Sequence, residues 1–229
     1  MAEIKKRILE CPNCKAEIEV QIRPRLEMPY DQEEKKKIMD GMFFRNKCPG
    51  CGRLIPAIYN FEYNDMENKY LIWLLPQIHE EEKKRIIDFN QLLATDNRLR
   101  LAQGGYRYRL VMTDMELREK VLIFDEGFDD RFIEAMKVIY VPVIMEKVGN
   151  DCQVVGIFFD KSAEGEYQWL VVFDKMKPTI FTVNMDMYED MKEKLWETAE
   201  KNYQDDCMLM IEAHWAAKVM KECSEAENQ

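Results

Sequence analysis

The sequence predicts an α+β protein, and three observations carry that reading. Two cysteine pairs of one form, Cys11-Pro12-Asn13-Cys14 and Cys48-Pro49-Gly50-Cys51, stand in the first quarter of the chain. Beyond Pro76 the apolar residues recur at helical spacing. Between Gln153 and Asn184 three short strand-like runs alternate with Gly/Ser/Asp/Pro turns.

The cysteine pairs come first. A C-x-x-C turn points both sulfurs to one side at the separation of two tetrahedral ligands, and two such turns complete a four-thiolate shell. Proline after the first cysteine of each pair fixes a backbone angle and lowers the entropy lost on closing the turn. Gly52, after the last cysteine, tolerates the positive φ that turns amide N–H groups back toward the sulfurs. The first pair has Lys15 at that position, so the sequence predicts a less regular turn there. Four soft thiolates suit zinc best, with iron chemically allowed. The expectation is one structural Zn2+ per chain on Cys11, Cys14, Cys48 and Cys51. Disulfides, redox cysteines and buried thiols are the competing readings. The charged segment 1–10 is unlike a signal peptide, which disfavours disulfides. Redox C-x-x-C motifs stand alone at helix starts, unlike this duplicated pair. Cys152, Cys207 and Cys223 read as ordinary thiols.

The remaining elements follow in order. Ile18, Val20 and Ile22 alternate as a strand leaving the first turn. Asp31 and Glu34 form a capping-box pair opening a short helix that stops at Gly41. Leu54 to Tyr63 and Lys69 to Leu75 read as two strands joined at residues 64–68. Together these elements make a zinc-ribbon-like set of hairpins with a helical insertion. Glu80 to Ala94 places Ile86, Ile87, Phe89, Leu92 and Leu93 on one helical face. Gly104-Gly105 signals a hairpin within residues 99–110. Thr113 with Glu116 caps a helix ending near Gly127, and Asp129 caps another with Phe132, Ile133, Met136 and Ile139 as its stripe. Val154 to Phe159, Tyr167 to Phe173 and Thr179 to Val183 suit an antiparallel meander. Helices at 187–201 and around Ile211, Trp215 and Val219 close the chain. The composition places a boundary at Gly149 to Asp151, dividing a domain at 1–148 from another at 152–229, with one compact unit as the alternative.

Composition narrows the function. The chain has 229 residues, 47% of them hydrophobic, and a net charge of −10. That charge opposes general affinity for nucleic acid or anionic membrane. Residues 1–60 hold 12 basic against 9 acidic side chains, which a tetrathiolate zinc centre brings near neutrality. The longest apolar stretch, Val138 to Met145, is too short to span a bilayer, so the expectation is a cytoplasmic protein with no membrane partner.

One constellation competes with the cysteines. In the hairpin at 99–110, Arg98, Arg100, Arg107 and Arg109 fall on one side, and opposed like charges call for an anion over them. They are candidate anion-binding residues, with an internal carboxylate such as Asp125, Glu126, Asp129 or Asp130 as the plainer partner. Tyr106 and Tyr108 fall on the other face, which weakens a nucleic-acid reading. The run Asp125 to Asp130 lacks the oxygen pattern of a calcium loop and reads as a helix end and a cap. His79 and His214 have no catalytic neighbours, and no phosphate loop, nucleophile elbow or HExxH occurs.

The paired knuckles, the Tyr63-Asn64-Asp65-Met66 turn before Tyr70-Leu71-Ile72-Trp73, and the run Leu117 to Asp125 with Asp129-Asp130-Arg131 resemble the CpXC domain family of bacterial and archaeal proteins. The resemblance spans roughly residues 8–140. It implies a four-cysteine zinc-binding domain on Cys11, Cys14, Cys48 and Cys51, and adds no activity. The leading expectation is therefore an interaction or scaffold module with a structural zinc, its partner a protein more than a nucleic acid. Nucleic-acid binding through the ribbon and arginine hairpin is the alternative. An enzyme with an open metal position is disfavoured by four available thiolates.

Overall fold

The computed structural model describes residues 4–77, 84, 105–149, 151–202 and 210–227. It divides into two compact units, Met1–Arg118 and Glu119–Gln229.

The first unit opens with a hairpin of β1 (Lys5–Glu10) and β2 (Glu17–Ile22). β2 follows the expected alternation, with Ile18 and Val20 buried and Glu17, Glu19 and Gln21 exposed. β1 was hidden by its charges. Lys5, Lys6 and Arg7 have no strand preference, and the strand exists because β2 supplies its hydrogen bonds. A second hairpin pairs β4 (Arg45–Lys47) with β5 (Leu54–Pro56).

Between the hairpins lie β3 (Arg25–Met28) and α1 (Gln32–Met39). The helix stands where the spacing predicts it and ends before Gly41 at φ +69°. The expected capping box is absent. Asp31 makes no side-chain cap; its carboxylate accepts from the Glu27 amide at 2.8 Å and pairs with Arg23, while Glu34 pairs with Arg23 at 3.0 Å. The Arg23 guanidinium draws both carboxylates away from the amides of the first helical turn.

The run 54–63 is two strands, not one. β5 ends at Pro56, which has no N–H to continue a ladder, and the Ala57 amide bonds back to the Phe44 carbonyl at 2.9 Å. The chain then enters β6 (Phe61–Asp65), which forms the expected hairpin with β7 (Tyr70–Leu74). Asp65 Oδ1 organises the turn by accepting from the amides of Glu67 at 3.1 Å and Asn68 at 2.8 Å. The sheet order is β3-β6-β7-β8, with β8 (Arg107–Val111) parallel to β7. Leu26, Met28, Phe61, Tyr63, Tyr70, Ile72 and Leu74 line its buried face. Of the expected helix at 80–94 only Lys84 is described, in helical conformation; the rest of it and the first strand of the 99–110 hairpin lie outside the described residues.

α2 (Asp114–Asp125) starts at the expected capping box: the Glu116 amide donates to Thr113 Oγ1 at 3.1 Å, and the Thr113 amide donates to Glu116 Oε2 at 3.0 Å. The division between the units falls within this helix. α3 (Asp130–Val148) is capped by Asp129, whose Oδ1 accepts from the Arg131 amide at 2.9 Å. It buries Phe132, Ile133 and Met136 and continues through Pro142.

The second unit contains the expected meander, β9 (Val154–Lys161), β10 (Tyr167–Phe173) and β11 (Thr179–Thr182), in the order β11-β10-β9. Phe159, Trp169, Val171 and Phe173 are buried, and Trp169 meets Tyr140 of α3 with ring centroids 5.3 Å apart. α4 (Asp186–Asn202) and α5 (Ala213–Glu227) pack on α3. The composition boundary at 149–151 lies inside this unit, because α3 packs against β9, α4 and α5, which all follow it.

Candidate metal centre

Each cysteine pair occupies the turn of one hairpin: residues 11–16 join β1 to β2, and residues 48–53 join β4 to β5. The turns share one hydrogen-bond pattern. In the first, the Cys11 amide donates to the Ala16 carbonyl at 2.9 Å and the Lys15 amide to the Cys11 carbonyl at 2.9 Å. In the second, Cys48 donates to Arg53 at 2.8 Å and Gly52 to Cys48 at 2.9 Å. Lys15 adopts φ +63° and Gly52 φ +72°. The expected irregularity of the first turn is therefore not seen. The turn imposes its left-handed backbone on Lys15, at a cost of roughly 1–2 kcal/mol that glycine would not incur.

The four Sγ atoms lie within 4.8 Å of one another. Cys11 and Cys51 are 3.8 Å apart, and Cys14 and Cys48 are 3.5 Å apart. A disulfide would hold two sulfurs at about 2.05 Å, so the cysteines are free thiols. Zinc–sulfur bonds of about 2.3 Å give a tetrahedron whose edges are about 3.8 Å. The sulfurs thus stand at the spacing a metal ion requires, drawn one and one from opposite hairpins.

Burial is graded across the cluster. Cys11 and Cys48 are buried, Cys51 is half-buried and Cys14 is exposed. The buried pair joins Ile18, Val20 and Ala57 in a small apolar core flanked by Leu9, Ala16, Ile22 and Ile55. The sulfurs are part of what this ribbon packs around, and a core this small is of the kind that a metal completes.

Backbone amides point at the sulfurs. The Cys14 amide, joined by the Asn13 amide and by the thiols of Cys48 and Cys14, holds the Cys11 thiol below its ordinary range against the effect of burial. The Arg53 amide does the same for Cys51, helped by the Asn13 side chain and the thiols of Cys48 and Cys14, and draws it down to about 6 against burial. At Cys14 the Ala16 amide favours the thiolate but is outweighed by hydrogen bonding with Cys48, by burial, and by Cys51 and Cys11, which push it up to about 12. A cluster of four sulfurs without a cation cannot carry four negative charges, so it keeps protons; a divalent ion replaces them. The donor set, its spacing and its amide environment fit a metal ion that prefers tetrahedral thiolate.

Two site residues escaped the sequence reading. Asn13 of the first turn helps hold the Cys51 thiol of the second below its ordinary range. Gly50 is where the two turns touch: a Cβ there would stand 3.0 Å from Ala16 Cβ and 3.1 Å from Cys14 Sγ. The absence of a side chain between the two cysteines was the available signal.

The other candidates fall elsewhere. Arg98 and Arg100 lie outside the described residues. Arg107 is half-buried, and Arg109 is fully buried in the sheet, donating from Nη1 to the Tyr108 carbonyl at 2.8 Å. Arg109 therefore does not present its charge to solvent on a shared face with Arg107. Glu126 pairs with Lys161 at 2.7 Å, Asp129 with Arg131 at 2.7 Å and Asp130 with Lys120 at 2.8 Å, so these carboxylates have internal partners. His214 is exposed at the start of α5, Cys152 is buried and Cys223 half-buried; His79 and Cys207 lie outside the described residues.

Two C-x-x-C hairpins closing four sulfurs into one cluster define a ribbon of the four-thiolate type, able to hold a metal ion. A family model described as CpXC protein matches residues 9–137, more than half of the chain, and the chain belongs to that family. No curated protein and no solved structure matches it.

Proposed function

We propose that this chain is a cytoplasmic interaction module built on one structural zinc ion, held by Cys11, Cys14, Cys48 and Cys51. The observation that carries the reading is the sulfur cluster, whose inter-hairpin separations of 3.5 and 3.8 Å approach the edge of a zinc–thiolate tetrahedron. A shell of four thiolates has no open position for water or substrate, so the ion's part is to hold the hairpins together. No described helix is long and apolar enough to cross a membrane.

Charge favours a protein partner. Four thiolates around a divalent ion leave a net charge of −2, which offsets the basic excess of residues 1–60, while the remainder carries 21 basic against 34 acidic side chains. Neither part is a polycation able to release counterions from a phosphate backbone.

Metal analysis of the purified chain tests the metal half of the proposal. One zinc per chain is expected, with X-ray absorption fitting four sulfurs at about 2.3 Å. Each single Cys→Ser change among the four should lower metal content; the assignment fails if any of them leaves it unchanged. Iron would declare itself by visible absorption.

A further inference from the structure

The sheet of the second unit buries one face; the other carries an apolar row and, beside it, a polar row of Asp160, Gln168 and Thr182 in which Gln168 Nε2 donates to Asp160 Oδ2 at 3.2 Å. Register places Phe158, Leu170 and Ile180 side by side across β9, β10 and β11, with Val172 next to Gly156 one step along. Phe158, Leu170 and Val172 are half-buried, and Ile180 is 49% exposed. The Phe158 ring lies down over Gly156: a Cβ there would come within 2.7 Å of Cε2 and 2.9 Å of Cζ. A larger residue at Gly156 would lift the ring, so glycine keeps this plate flat. Contiguous apolar surface of this kind on a sheet face is a common mark of a contact site.

The two ends of the plate carry opposite charge. The β9–β10 turn presents Glu164 and Glu166, both exposed. The β10–β11 turn presents Lys175 and Lys177, also exposed, with Lys175 Nζ 3.4 Å from the Asp151 carbonyl; Asp174 of the same turn accepts from the Gln153 amide at 2.8 Å, and the two lysines leave this end net basic. These turns sit at opposite ends of β10, roughly 23 Å apart at about 3.3 Å per residue.

We propose that this face is where two copies of the chain meet, sheet against sheet, about a two-fold axis perpendicular to β10. An isologous contact needs a surface complementary to itself. Antiparallel stacking lays the glutamates of each copy over the lysines of the other, twice, with the Phe158, Leu170 and Ile180 rows of the two copies meeting between them. Parallel stacking would oppose like charges, so charge selects the antiparallel arrangement. Three strands about 4.8 Å apart and about 23 Å long offer roughly 300 Å² per copy, well under the ~800 Å² of a stable interface, so the dimer is weak and concentration-dependent. This inference rests on the reading of the chain as an interaction module and names the partner of its second unit. It makes no use of the sulfur cluster.

Sedimentation equilibrium on the full chain, from low to high micromolar concentration, tests it. Reversible dimerisation that weakens with added salt is expected. Ile180→Lys should weaken association at least ~10-fold while leaving far-UV circular dichroism and melting unchanged. K175E/K177E makes both ends acidic and E164K/E166K makes both basic. Each variant alone should associate at least ~10-fold more weakly than the parent, and an equimolar mixture should recover a heterodimer. A chain that stays monomeric throughout, an Ile180→Lys variant that dimerises as the parent does, or a mixture no tighter than its components overturns the proposal. Metal content read on the same samples separates the two claims: a zinc-loaded monomer sinks only the dimer, and a metal-free dimer sinks only the zinc site.

Discussion

Lys15 holds a left-handed backbone that its position in the turn dictates, and its side chain gains only an exposed pair with Glu10 at 3.0 Å. The left-handed conformation costs a side-chain-bearing residue roughly 1–2 kcal/mol, glycine costs about 0.5–1 kcal/mol in backbone entropy, and an exposed ion pair is worth little. The first term wins. Lys15→Gly should raise the stability of the metal-bound ribbon by about 0.5 kcal/mol, read as a higher denaturation midpoint. Gly52→Ala tests the same physics with opposite sign: an added Cβ would meet only Lys47 Cε at 3.9 Å, so its cost of about 1 kcal/mol comes from the backbone alone. Gly50 differs, because its constraint is space. Gly50→Ala presses on Ala16 and on the exposed Cys14 sulfur, and zinc transfer to a chromogenic chelator should accelerate. Ala16→Gly in the same chain should slow it again; a double variant as leaky as Gly50→Ala would show that crowding is not the cause. The cysteines themselves were legible because their signal is local, two ligands within one turn. Gly50 and Asn13 were not, because their roles come from the opposite hairpin.

At the scale of elements, charges in helices were harder to read than caps. Thr113 and Glu116 declare a helix start through groups three residues apart, and the structure places the bonds there. Asp31 and Glu34 carry the same signature but turn to Arg23, a residue outside the local window. The larger surprise is a buried ionic network between α2 and α3. Lys120 Nζ meets Asp130 at 2.8 Å, Glu134 at 3.0 Å and the Ile211 carbonyl at 2.9 Å, and Lys137 Nζ meets Glu119 at 2.7 Å and Glu134 at 2.9 Å. Glu119 also accepts from the Phe159 amide of β9. In sequence these residues look like solvated faces, and only the tertiary fold encloses them. Burial raises the Glu119 pKa against the pull of Lys137, whereas at Glu134 burial is outweighed by Lys120 and Lys137 and the value falls. Removing one partner strands a buried charge, so Lys137→Met should cost about 3–5 kcal/mol by chemical denaturation. Glu119→Gln in the same chain keeps an acceptor for Phe159 and removes an orphaned charge. It should recover part of that loss; a double variant less stable than Lys137→Met would contradict the account.

Over the whole molecule, fold class was legible because the strand runs, the caps of α2 and α3 and the cysteine spacing are each short-range signals. The β3–β6 and β7–β8 pairings were not, since parallel partners are chosen by contacts remote in sequence. The two units also rest on different forces, and chelation at neutral pH separates them. In the second unit, hydrogen bonds from Lys161 and Tyr167, helped by the Lys161 charge, hold the Glu126 carboxyl below its ordinary range against burial. Burial, followed by the hydrogen bond to Glu126 and its charge, pushes the Tyr167 phenol up to about 12. A depressed carboxylate contributes stability that is present above its unfolded value of about 4.3 and lost as pH falls through the folded one. A raised phenol contributes stability that is present below about 10 and lost as pH rises toward the folded value. The second unit should therefore lose stability in both of those windows. Glu126→Gln should flatten the acid limb, and an unchanged acid limb in that variant would rule the pair out as its source. In the first unit, metal binding depends on deprotonated sulfur, so a chelator at neutral pH should do what acid does to the second. Zinc removal should collapse the β1–β2 and β4–β5 hairpins while the tryptophan signals of Trp169 and Trp215, both buried in the second unit, persist. Loss of those signals together with the metal would mean that the ion sustains both units, and the zinc could no longer be read as the fastener of the ribbon alone.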